Sequence, residues 1–447
     1  MTSVIVIGGG LAGLATAAAL GKAGFQVDVF EARGFLGGRA TSYPLSGSED
    51  GPEALKAPEI IDNCQHVLLR CCINLMDFYR RLGVGDRIKF YKEFYFIEPG
   101  GRTSVLRAGS LPAPLHFAGS FWKLRSLSFQ DKTAIARGLL AIRNERSRRT
   151  DLDQITMLDW LREKRQPEAA IRRFWNQVLV SAVNEDLDRM AARHGFQVFW
   201  QGFLARPNSY EMGVPSVPLG DLYASDLWKR VGNVGLHLRA PVDRVIIEDG
   251  AVSGILSRGE RHAADYYVSA IPFERVAAVI PELDLDLTGF EHSPITGIHL
   301  WFDRSLTQLP HATLLDRNIQ WMFNKSGGRY LQVVISASRS LVEMNRADVI
   351  ALAVRELAEF IPRVSEAKLE KAHVVKEVRA TFSAKPGLDQ ARPLSATKLP
   401  NLFLAGDWTR SGWPATMEGA VRSGYLAAEA LAKAAGGAEK FLLADIS

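Results

Sequence analysis

The sequence predicts an α/β fold: a Rossmann-type dinucleotide-binding domain, discontinuous along the chain, joined to an α+β substrate-binding domain. Three observations predict it. Residues 3–31 hold a complete strand, glycine turn, helix and second strand, and a strand running into Ala405-Gly406-Asp407 before a small-residue helix stands near the other end. The 447 residues are 47% hydrophobic and 23% charged, an ordinary globular composition with room for two or three domains of about 100–200 residues each. The excess of 54 basic over 49 acidic side chains is too small for a uniform polyanion-binding surface.

In the first unit Ser3–Ile7 is a β-branched apolar run, Gly8 to Gly13 spells G-x-G-x-x-G, residues 14–23 read as a helix, and residues 27–30 form a strand ending at Glu31. Gly8 permits the tight turn, and Gly10, followed by Leu11 and Ala12 as further cofactor-binding candidates, lets the backbone approach a pyrophosphate. Gly13 lets helix and strand pack closely. The helix amino terminus offers free N–H groups and its positive dipole end to phosphates. Glu31 is expected to accept from ribose hydroxyls and to repel a 2′-phosphate.

The first 21 residues carry no charged side chain, a pattern shared with signal peptides and membrane spans. Neither is expected here: there is no basic leading region, glycines break the run, and a charged pattern with its own explanation follows directly. The three cysteines, Cys64, Cys71 and Cys72, are too few for a disulfide scaffold or a four-cysteine zinc site, and a reducing cytoplasm is the default. Their spacing places Cys64 and Cys71 on one face of a helix as small buried thiols.

The run Glu31-Ala32-Arg33 followed by Gly37-Gly38-Arg39 resembles the continuation found in the amine oxidase and phytoene desaturase superfamily of flavoproteins, where it lies along FAD. Ala405-Gly406-Asp407 and Trp413 to Ala420 resemble its second FAD signature. That resemblance implies that Gly406 lets the chain pass the cofactor, that Asp407 accepts from a ribityl hydroxyl, and that Thr416 caps a helix whose first turn, Met417 and Glu418, points at the flavin. It also implies that the backbone of Val242, ahead of a hairpin at Asp249-Gly250, meets the adenine. The FAD domain is then expected at 1–95, 220–290 and 390–447, with 96–219 and 291–389 forming the substrate domain and 44–59 a looser insertion.

The middle of the chain resembles one branch, the hydroxysqualene dehydroxylases of hopanoid pathways. The stretches that carry this are 61–67, 77–83, 111–115, 179–185, 294–296, 299–303, 320–324 and 379–382. The resemblance implies reductive removal of an allylic hydroxyl, giving squalene, with an external electron donor such as a flavin reductase or ferredoxin because no nicotinamide site is apparent. Asp62 or His66 is the expected proton donor, with Asn184 and Glu185 as further candidates; Trp301, Phe302, Trp321 and Phe323 either face a cationic centre or belong to the core. The alternatives are an oxidative squalene or phytoene desaturase, an amine oxidase, and a non-catalytic FAD- and lipid-binding escort protein. The carboxy-terminal signature has no cysteine for a covalent flavin link.

Between residues 123 and 173 there are 13 basic and 7 acidic side chains beside an aromatic-rich run. Such a combination suits an anionic membrane surface, so 111–146 is an expected docking segment of a peripheral protein on the cytoplasmic face.

Overall fold

A computed structural model describes residues 1–45 and 59–446. Nearly all of the insertion expected at 44–59 therefore lies outside the described residues. At its edges Ser42–Leu45 pairs antiparallel with Glu59–Asp62.

Five parallel strands form the sheet that carries the glycine turn. Their order is Val234–Leu238, Gln26–Glu31, Ser3–Ile7, Tyr266–Ser269 and Leu402–Leu404. The central strands are apolar on both faces, as a parallel sheet buried by helices requires. Leu11–Lys22 covers it, built largely of Ala and Leu, and Met417–Ala434 lies directly against that helix. Contact is made backbone to backbone. A Cβ on Gly424 would sit 2.3 Å from the Ala12 carbonyl oxygen, and Thr16 Oγ1 donates to the Gly424 carbonyl at 3.0 Å.

The hairpin at Asp249-Gly250 is present: both residues have positive φ, 50° and 76°, between strands Val242–Glu248 and Ala251–Ser257, the geometry a two-residue turn of this composition favours. A seven-stranded sheet collects Glu93–Ile97, Thr103–Arg107 and five strands between His292 and Phe382. It is antiparallel except where His311–Leu314 runs parallel to Glu93–Ile97. A helical layer from residues 118–204 packs on one face of this sheet. The two meet through Phe94, Phe96, Trp321 and Phe323 on the sheet and Phe121, Phe174 and Phe199 on the helices. Of two short π-helical turns, Ile171–Trp175 contains Phe174 and Trp200–Leu204 follows Phe199, and these two rings stack with centroids 5.6 Å apart.

The cysteines do not share a helix. Cys64 lies in the loop after Glu59–Asp62, and Cys71 and Cys72 precede the helix Ile73–Arg81. A spacing of seven is matched here by loop and turn geometry. Cys64 and Cys71 are buried, and burial pushes the Cys64 thiol up to about 12.

Candidate active site

A cavity of about 890 Å³ runs between the two sheets. One part is a cleft bordered by Gly8, Gly10, Leu11, Ala12, Glu31, Ala32, Arg33, Gly37, Gly38, Arg39, Val242, Gly406, Asp407, Thr416, Met417 and Glu418. Gly13 stands behind the cleft, where a Cβ would come within 2.0 Å of the Gly8 carbonyl oxygen. Gly10 is the N-cap of Leu11–Lys22 and brings no side chain to it, so the first N–H groups of that helix are available to an anion. The second glycine segment lies on the first: Gly37 N donates to Gly9 O at 2.9 Å, and Gly10 pairs with Gly37. Gly37 and Gly38 hold φ of 100° and 62°, the left-handed region that favours glycine.

Three acidic residues of the cleft do more than face a ligand. Glu31 accepts from Gly9 N and Arg33 N, each at 2.7 Å, and each oxygen keeps a lone pair for a ribose hydroxyl. Asp407 Oδ1 accepts from Arg39 Nη2 at 2.5 Å, joining the two FAD signatures across the sequence. Glu418 borders the cleft but its carboxylate also accepts from Asn74 Nδ2 at 2.8 Å and Leu75 N at 2.7 Å. It thereby caps Ile73–Arg81 from outside, and burial pushes it up to about 7. Thr416 caps its own helix as expected, accepting from Gly419 N at 3.0 Å.

Arg392, which nothing in the local sequence singles out, holds the Asp407–Trp413 loop. It is 1% exposed. Nη1 donates to Asp389 Oδ1 at 2.7 Å and Trp413 O at 2.8 Å, while Nη2 donates to Asp407 O at 2.9 Å, Thr409 O and Ser411 Oγ.

The other part of the cavity is an apolar chamber lined by Phe94, Phe96, Phe117, Phe121, Phe174, Phe199, Phe203, Trp321 and Phe323. Leu115, Trp122 and Leu140 also line it yet are 58%, 43% and 54% exposed, so the chamber opens between them. Trp321 and Phe323 stack at 5.7 Å on its wall. Trp301 instead stacks on Tyr330 and donates to Glu59, and Phe302 belongs to the core on the other side of the sheet.

Of the catalytic candidates, His66 and Asn184 border the cavity. Asp62 does not. It is buried, accepts from Ser42 Oγ at 2.7 Å and Leu219 N at 2.9 Å, and pairs with Lys325 Nζ at 3.2 Å. Glu185 is fully buried, bound in bidentate fashion by Arg339 at 2.6 and 2.8 Å and by the Ser383 hydroxyl. These ties make Asp62 and Glu185 structural anchors and correct their expected place beside substrate. Asn184 ends its helix at φ 59°, donates to Ser293 O and Thr381 Oγ1, and accepts from Ala337 N. The His66 ring is half-buried; its Nδ1 lies 2.9 Å from Cys64 O, and burial lowers its pKa. Glu377 was not apparent from sequence: one of several charged residues in a long strand, it borders the cavity and accepts from Asn63 Nδ2 at 3.1 Å.

Residues 11–432 match the family described as flavin containing amine oxidoreductase. The chain belongs to that family. Among curated relatives, it is 27% identical to a 15-cis-phytoene desaturase of Synechococcus elongatus, over 96% of this chain and 95% of that protein. It is 25% identical to a zeta-carotene desaturase of Synechocystis, over 96% of each chain. Neither relative is named a dehydroxylase. Solved structures share the fold: an oxidoreductase from Methanosarcina mazei at 18% identity and TM-score 0.69, covering 94% of this chain and 98% of that one, and a cyclohexylamine oxidase from Brevibacterium oxydans at 18% and 0.65, covering 97% and 99%. The uncapped helix end, the paired glycine segments and Glu31 fit FAD, the cofactor of this flavoprotein family. No group of three or more possible metal ligands occurs among the described residues.

Proposed function

We propose that this flavoprotein oxidises or reduces an allylic position of a long acyclic isoprenoid. Residues 1–95, 220–290 and 390–447 form its FAD domain, and 96–219 and 291–389 its substrate domain. One observation carries the proposal: the cleft that fits FAD opens directly into an aromatic chamber within one cavity. A wall of Phe and Trp binds a hydrocarbon by removing both surfaces from water. FAD bound in the cleft would take up or supply a hydride.

The chain's own residues exclude water and manage a proton. The Cys64 carbonyl can only accept, so Nδ1 of His66 is the donor in that bond and Nε2 of the neutral ring carries the lone pair. Burial lowers the ring's pKa and so favours the neutral form, in which Nε2 is an acceptor; the donor role expected of His66 requires the charged ring. That polarity, and relatives aligned over almost the whole chain, support desaturation. Reductive dehydroxylation of hydroxysqualene is the second reading, supported by the mid-chain resemblance at 61–67, 179–185 and 320–324; it would need an external electron donor.

Anaerobic incubation separates the two. Oxidised holoenzyme given phytoene or squalene is expected to yield a product with an added double bond, and pre-reduced holoenzyme given hydroxysqualene tests loss of oxygen; no conversion in either arm sinks the proposal. His66→Phe with FAD retained is expected to lower turnover about a hundredfold.

Docking on an anionic leaflet belongs to the same proposal. Leu111, Leu115, Trp122, Phe129 and Leu140 are exposed within one segment, as are Lys123, Arg125, Arg137 and Arg143, and of these Leu115, Trp122, Leu140 and Arg143 line the cavity. The structure thins the expected segment: Phe121, Leu124, Leu127, Ile135 and Ile142 are core, and Arg149, Lys164, Arg172 and Arg173 are held in ion pairs. Among the described residues, no helix is long and apolar enough to cross a membrane.

A further inference from the structure

The polar side chains of the cavity are not spread evenly. Arg39 donates to Asp407 on the cleft side and to Ala380 O, at 3.0 Å, on the seven-stranded sheet. Its own carbonyl accepts from Asn63 Nδ2 at 2.8 Å, and the same amide donates to Glu377 Oε1. Glu377 lies three residues before Ala380 on the strand Leu369–Phe382, opposite Ile295, which also lines the cavity. The Arg39–Asn63–Glu377 chain therefore marks the seam where the cleft meets the chamber. Four carboxylates border the cavity. Glu31 is bound by backbone N–H groups, Asp407 by Arg39, and Glu418 by the helix it caps. Glu377 is half-buried, and among the described residues its one hydrogen bond comes from a neutral amide.

We propose that Glu377 is a catalytic residue that stabilises positive charge on the substrate carbon at this seam. The inference rests on the isoprenoid reading and holds for either direction. In desaturation, hydride loss leaves the allylic carbon cationic, and a proton then leaves the adjacent carbon, to His66 Nε2, as the new double bond forms. In dehydroxylation, the oxygen takes a proton from a solvent acid and departs as water with the C–O electron pair, and a hydride that reduced FAD would supply fills the vacancy. In both, an allylic cation forms inside an apolar wall, where a fixed anion is worth far more than in water.

The test uses FAD-loaded enzyme and two probes: N,N-dimethylfarnesylamine, protonated at neutral pH, and the neutral hydrocarbon of the same skeleton. Binding is followed by tryptophan quenching. Glu377→Gln is expected to weaken the amine at least about tenfold and to leave hydrocarbon binding and FAD content unchanged, while Glu377→Asp, which keeps the charge, retains most of the preference. Equal amine affinity in wild type and the Gln variant, or Asp and Gln variants that behave alike, would overturn the assignment. If the wild type binds neither probe, the isoprenoid reading fails and this inference falls with it.

Discussion

The cleft and the chamber share one cavity but are built by opposite means. The cleft is mostly backbone: glycine turns, an uncapped helix end and short contiguous runs at both ends of the chain. The chamber is mostly aromatic side chain, drawn from Phe94, Phe121, Phe174, Phe199 and Trp321, which no motif links. A cofactor common to many proteins can be held by a few local geometries, whereas a hydrocarbon is held by shape and dryness, which many arrangements of apolar side chains provide. Damage to the two parts should therefore look different.

The largest expected effect is in the cleft. A Cβ at Gly13 would sit 2.0 Å from a backbone oxygen, so Gly13→Val must displace the turn. It is expected to abolish FAD incorporation and to cost more than about 4 kcal/mol, read from flavin absorbance and thermal denaturation. In the chamber, Phe199, 1% exposed and stacked on Phe174, should cost about 3–4 kcal/mol when cut to Ala. That variant should still bind FAD while losing turnover; loss of FAD would show that the two parts are not separable.

A smaller effect sharpens the contrast by pH. Burial pushes the Glu418 carboxyl up to about 7, above the value of about 4.3 in an unfolded chain. Between those values the folded chain holds a proton that the unfolded chain has lost, so this group's contribution to stability declines as pH rises through the window. Glu418→Gln should gain on wild type from pH ~5 to ~8, seen as a growing Tm difference; a constant difference would rule the titration out. The smallest change in stability is expected in the segment 111–146. Trp122→Ser with Phe129→Ser, at positions 43% and 74% exposed, should alter stability by no more than about 0.5 kcal/mol each yet reduce binding to anionic liposomes. Undiminished binding would remove the docking surface.

What could be read from sequence follows the same division. The Rossmann unit, the hairpin at Asp249-Gly250 and the Thr416 cap are local structures whose residue types have few other uses, and each is present. Asp62 and Glu185 were misplaced because a carboxylate near a motif looks the same whether it faces a cavity or an arginine. Lys325 and Arg339, which decide the matter, lie 263 and 154 residues away. Arg392 and Glu377 carried no signal, since charged residues outside a motif are usually solvated. In the segment 111–146 the apolar residues were all visible in the sequence, but which of them point outward depends on the packing beneath.

The sequence by itself determined the flavoprotein fold and the cofactor cleft, because tight turns, helix ends and close backbone contact restrict residue type at fixed spacing. Only the tertiary structure decided that the cleft opens into an aromatic chamber, that His66 borders the cavity, and that Arg39, Asn63 and Glu377 mark the seam. Those facts depend on where distant strands bring side chains together, and packing satisfied by many apolar residues leaves no fixed spacing to read.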